Sequence, residues 1–76
     1  MKHLLEYLII HLVNHPEEVS IEEEAGDYRT TYRVYAHEDD IGRIIGQGGK
    51  TIKAIRKVAR VYAAKNDLRF RIDIAG

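Results

Sequence analysis

The chain has 76 residues, no cysteine, and twelve basic side chains against twelve acidic ones. That length sits near the limit at which core burial offsets conformational entropy, so one domain over residues 1–76 is expected and a second core is excluded; without cysteine there is no disulfide scaffold either. The neutral total hides a division, because residues 1–42 carry three basic groups against ten acidic (net −7) and residues 43–76 carry nine against two (net +7), and local charge decides whether phosphate is attracted.

Leu4, Leu5, Leu8, Ile9, Leu12 and Val13 recur at spacings of three and four, which predicts an amphipathic helix over Leu4 to Val13. Lys2 ahead of this run imitates a signal peptide. Glu6 and His11 interrupt it, however, no small-residue cleavage site follows, and it falls far short of the ~18 to 20 apolar residues of a membrane span, so a soluble cytoplasmic protein is expected. Asn14-His15-Pro16 ends the helix, since the residue before proline avoids the helical region. His11 and His15 have the spacing of two metal ligands on one helix face, but no third ligand accompanies them; both are read as surface histidines and no metal is expected.

Val19 and Ile21 alternate with Ser20 and Glu22 as a short strand, Ala25-Gly26-Asp27 turns the chain, and Tyr28 to Ala36 alternates as a longer antiparallel strand. On it, Arg29 and Arg33 are expected to pair with Glu22 or Glu24 across the sheet. At His37-Glu38-Asp39-Asp40 the period changes; Asp39 or Asp40 is the expected N-cap of a short helix through Ile45, and the acidic run is read as a cap and a solvated face rather than a catalytic cluster. Beyond Lys50 a long helix is predicted, with Ile52, Ile55, Ala59 and Tyr62 on one stripe, Val58 beside it, and Lys53, Arg56, Lys57 and Arg60 on another face. Asn66-Asp67 stops it, and Leu68, Phe70, Ile72 and Ile74 alternate as a third strand. The connection from the second strand to the third is long enough for a parallel crossover. The expected fold is α+β in the order αββααβ, a three-stranded mixed sheet with three helices on one face.

Between the short and long helices lies Ile44-Ile45-Gly46-Gln47-Gly48-Gly49-Lys50-Thr51, with three glycines in four positions. Glycine in a helix costs ~1 kcal/mol against alanine, so the cluster marks a tight turn or a close approach. Because a helix begins at once, its first amides and its dipole favour an anion there. A nucleotide P-loop would need glycine where Ile44 stands, and a dinucleotide fingerprint would need one at Thr51.

Set between a short helix and a basic one and flanked by strands, Ile44-Ile45-Gly46-Gln47-Gly48-Gly49 resembles the I-I-G-x-x-G core of the KH domain. The additional N-terminal helix and strand correspond to the type II, prokaryotic arrangement, and Asn14-His15-Pro16-Glu17-Glu18-Val19 is similar to a stretch following the first helix in the small bacterial single-KH RNA-binding (KhpA-like) family. No RRM signature is present. The resemblance implies single-stranded RNA held by the Gly46–Gly49 loop on about four nucleotides of backbone, an RNA chaperone or post-transcriptional regulator, and pairing with a second copy or with a second KH-containing protein.

On that resemblance the RNA-binding residues are Ile41, Arg43, Ile45, Gly46, Gln47, Gly48, Gly49, Lys50 and Lys53. Ile41, Ile45 and Ile52 would form an apolar floor for bases, with core packing as the alternative for Ile52 and Ile55. The inner pair Gln47-Gly48 lacks the Lys or Arg common in such loops, so Arg43, Lys50 and Lys53 are expected to supply the charge. The tyrosines are read as packing residues. No catalytic residue, cofactor or enzyme activity is expected. The competing function is a protein-interaction or dimerisation module with little RNA affinity of its own.

Overall fold

The computed structural model describes residues 1–75. Helix α1 (Lys2–Ile10) buries Leu5 and Ile9 completely, each contributing ~1.5 to 3 kcal/mol of burial. It stops short of Val13, although the apolar spacing continues. The backbone N–H groups of Asn14 and His15 donate instead to the Asp40 carboxylate at 3.0 and 2.9 Å, and Pro16 opens a separate 3-10 turn over Pro16–Glu18.

Strand β1 (Ser20–Ala25) pairs antiparallel with β2 (Thr30–Tyr35), and β2 pairs parallel with β3 (Phe70–Ala75), so β2 is central and β3 an edge. The register places Ile21 opposite Val34, Tyr32 opposite Ile72, and Val34 opposite Ile74. With side chains alternating along each strand, this sets one apolar face. Helix α2 (Glu38–Ile45), a 3-10 turn (Gln47–Gly49) and helix α3 (Lys50–Lys65) make the crossover between the parallel strands. Two 3-10 turns therefore enter an element order that the periodicity gives as helices and strands alone.

Leu5 and Ile9 from α1, Ile44 from α2, and Ile52, Ile55 and Ala59 from α3 form one cluster with Ile21, Tyr32, Val34 and Ile72 of the sheet. Three expectations about side chains change. Tyr62 is 38% exposed, and Ala63 rather than Tyr62 is the buried residue of the last turns of α3. Tyr28 is exposed rather than packed, and Tyr7 lies outside the core with His11 edge-on to its ring. Arg33 pairs with Glu22 at 3.6 Å, but Arg29 turns away from the glutamates toward α3 and β3.

Candidate nucleic-acid interface

The start of α2 is held by residues that the sequence pattern leaves on the surface. Asp40, expected as a cap or solvated carboxylate, is completely buried. It accepts from the backbone of Asn14 and His15, from His15 Nδ1 at 3.0 Å, and from Arg43 Nη1 at 3.4 Å. An ionised carboxylate can only accept, so His15 Nδ1 carries the hydrogen. Burial pushes the Asp40 carboxyl up, but these hydrogen bonds and the nearby His15 outweigh it and hold the group below the usual carboxylate value. The N-cap is His37, whose Nδ1 accepts from the Asp39 N–H at 3.0 Å. His37 also stacks on His15, with ring centroids 3.9 Å apart. His15 is thus a structural link between the α1–β1 connection and α2 rather than a free surface histidine, while His11 packs on Tyr7.

That anchored helix runs into the glycine loop. Gly46 adopts φ 78°, ψ 165°, a conformation essentially restricted to glycine. Its N–H closes α2 onto the Gly42 carbonyl at 2.8 Å, and its own carbonyl accepts from Gly49 at 3.0 Å. A Cβ at Gly46 would lie 2.7 Å from both the Thr51 Cβ and the Thr51 N, so the loop is folded tightly against the first turn of α3. Gly48 and Gly49 are left-handed, at φ 64° and 79°, with open space before them. Helix α3 starts at Lys50 with no side-chain cap; the Gly49 and Lys50 N–H groups donate to the Gly46 and Gln47 carbonyls, so what faces the unobstructed, side-chain-poor surface is the positive end of the helix dipole.

The other expected site residues divide. Ile45 is 37% exposed and Ile41 half-buried, on the α2 face that leads into the loop, whereas Ile52 and Ile55 are core residues and no part of an open floor. Lys50 and Lys53 are exposed on the first turns of α3. Arg43 remains half exposed but is turned back along its own helix, donating to the Asp39 carbonyl at 3.1 Å and to Asp40. Of the three cations expected to replace loop charge, Lys50 and Lys53 are free to do so and Arg43 is largely occupied.

Gly42 was not singled out from the sequence. It lies inside α2 on the exposed face with Ile41 and Ile45, and nothing stands within 4 Å of the position its Cβ would take. A mid-helix glycine at ~1 kcal/mol with no neighbour demanding it is the signal that was available.

Comparison with known proteins follows the same lines. Residues 2–74 match the family described as "KhpA/KhpB, KH domain". The chain is 43% identical over 74 residues to the RNA-binding protein KhpA of Chlamydia pneumoniae, covering 97% of this chain and 95% of that protein. It is 38% identical over 74 residues to the protein of the same name from Listeria monocytogenes, covering 97% of each. Among solved structures it is similar in fold to Era of Aquifex aeolicus bound to GDP and aluminium fluoride, with TM-score 0.65 and 16% identity over 96% of this chain and 28% of that one. Era in complex with MgGDPNP and nucleotides 1506–1542 of 16S ribosomal RNA superposes with TM-score 0.61, again over 28% of its length.

Proposed function

Since the chain belongs to the KhpA/KhpB family of KH domains, we propose that it is a bacterial RNA-binding protein, a single type II KH domain over residues 1–76 that holds single-stranded RNA and acts as an RNA chaperone or post-transcriptional regulator in the cytoplasm. The observation that carries this reading is the Gly46–Gly49 loop, with Gly48 and Gly49 in left-handed conformations before open space at the uncapped start of a basic helix. Phosphates approach the loop amides, Gln47 lends a neutral hydrogen-bonding side chain, and Lys50 and Lys53 supply the charge. Ile41, Gly42 and Ile45 form the floor, and Arg43 contributes at its edge. The work is binding rather than catalysis and requires no cofactor. No helix among the described residues is long and apolar enough to cross a membrane, in keeping with the proposed location.

A second observation supports pairing with another copy of the chain or with a second KH-containing protein. Leu8 and Leu12 of the α1 segment line an apolar groove with Ala54 and Val58 of α3, and Val58 and Val61 are 45% and 60% exposed, a contiguous strip of the kind that marks protein contacts. Salt dependence separates this from RNA binding as the primary role. On a short single-stranded RNA, two or three neutralised phosphates give a log-log slope of about −1.4 to −2.1, and replacing Lys50 and Lys53 with Ala should weaken all sequences alike and make the slope shallower by roughly one unit. A flat salt profile, or no binding at low salt, would transfer the function to the apolar strip.

A further inference from the structure

Helix α2 spans eight residues, and isolated helices shorter than ~12 to 15 residues are marginal in water. Its order therefore depends on what holds its ends, and two imidazoles hold its entry. His15 Nδ1 donates to Asp40 Oδ2 at 3.0 Å, so the lone pair of this ring is on Nε2. His37 is set the other way round: its Nδ1 accepts from the Asp39 N–H at 3.0 Å, so the neutral ring carries its hydrogen on Nε2. The two rings lie face to face, with centroids 3.9 Å apart and planes within 12° of parallel.

Protonation acts differently on the two rings. A proton added to His15 enters at Nε2 and leaves the bond to Asp40 intact. A proton added to His37 enters at Nδ1 and turns the side-chain acceptor of the cap into a donor facing the Asp39 N–H. With both rings charged, two imidazolium cations are also stacked at 3.9 Å. The surrounding charges among the described residues do not cancel this. Asp40 is committed to Asn14, His15 and Arg43. Glu18, on the 3-10 turn, lies 3.8 Å from His37 Nε2, and Asp39, on α2 itself, lies 3.7 Å from His37 Nδ1; both carboxylates are on exposed side chains, where ion pairs contribute little.

We infer that the His15–His37 pair is a proton-sensitive positioning device for the clamp, seating α2 while His37 is neutral and releasing its first turn when both rings are charged. The inference rests on the RNA-binding reading above. Helix α2 carries Ile41, Gly42 and Ile45 and runs directly into Gly46, so loss of its entry displaces floor and loop together. Histidine is the side chain that gains charge between pH 8 and 5, and Asp40, held below the usual carboxylate value, stays ionised over that window. Added positive charge by itself strengthens the attraction for RNA as pH falls. The pair acts in the opposite direction, so its contribution is separable by sign.

The experiment compares the parent with His37→Asn at about pH 7.5 and about pH 5.5, by thermal melt and by titration with a tetranucleotide. Asparagine is among the best N-caps and does not titrate. On acidification the parent's melting temperature should fall by ~4 to 8 °C more than the variant's, the equivalent of one helix cap. Tetranucleotide affinity should fall by up to about fivefold in the parent and hold or rise in the variant. Equal pH profiles, or a parent whose affinity rises on acidification more than the variant's, would overturn the inference while leaving the clamp in place. A difference confined to the melts would leave a structural cap alone and overturn it too; a parent that binds no RNA at the higher pH would overturn both readings. Nitrogen NMR of the imidazoles provides a measurement on the parent alone. At the higher pH the hydrogen should be on Nδ1 of His15 and on Nε2 of His37, and a hydrogen on His37 Nδ1 there would also overturn the inference.

Discussion

Replacing Gly46 with alanine tests whether the loop is a built clamp or an incidental turn. At φ 78°, ψ 165° an L-residue is strained by ~1 to 3 kcal/mol, and the added methyl would sit 2.7 Å from the Thr51 Cβ and backbone N. The backbone N belongs to the first turn of α3 and cannot swing aside as a side-chain tip could. A total near ~3 kcal/mol or more is therefore expected, against the ~4 to 11 kcal/mol typical of a chain this long, and with ~4 to 8 °C per kcal/mol the melting temperature should fall by at least ~12 °C. Gly48→Ala is the matched comparison: its φ of 64° and ψ of 17° cost ~1 to 2 kcal/mol, and nothing lies within 4 Å to obstruct a methyl. Thermal melts of the two variants, followed by far-ultraviolet circular dichroism, give the comparison directly. Should Gly46→Ala melt at or above Gly48→Ala, the close seating of the loop on α3 would be refuted.

Gly42→Ala should raise the melting temperature by ~4 to 8 °C, through up to ~1 kcal/mol of helix propensity, while weakening RNA binding because the methyl enters the floor beside Ile41 and Ile45; unaltered affinity in an anisotropy titration would remove Gly42 from the interface. Asp40→Asn addresses pH. A carboxyl held below its ordinary value of 3.8 contributes stability that is fully present above that value and lost as pH falls through the lower folded value. The variant should therefore melt lower at neutral pH and show a flatter loss of stability below about pH 4 than the parent; parallel acid profiles would count against Asp40 as the anchor of α2.

Most of the fold was legible because the sequence alternates period cleanly, two along Tyr28 to Ala36 and Phe70 to Ile74, three to four along the helices. Lengths went astray where a distant polar group captured backbone. The α1 stripe runs on to Val13, but the donors of Asn14 and His15 are taken by a carboxylate 26 and 25 residues away, and no local pattern carries that. For the same reason Asp40 read as a cap, although His37 performs that role through its ring nitrogen. The glycine loop was legible because three glycines so close together weaken any helix or strand and suit only a tight turn. Neither the engagement of Arg43 by its own helix nor the turn of Arg29 toward Arg60 could be read, since long cationic side chains choose among partners that only the packed chain brings near.

RNA binding as proposed requires a phosphate at the inner loop positions, and Gln47→Asp/Gly48→Asp probes that contact. Both residues are exposed, so no packing is disturbed, and because Asp accepts the left-handed conformation of Gly48 better than most residues do, the loss of stability should stay below the ~1 to 2 kcal/mol expected of Gly48→Ala. Two carboxylates would then occupy the place of the anion, opposing it by charge and bulk. A thermal melt beside an anisotropy titration with short single-stranded RNA is expected to show a fold close to the parent's and RNA binding abolished. A variant that melts like the parent and binds RNA with the parent's affinity would remove the loop from RNA binding.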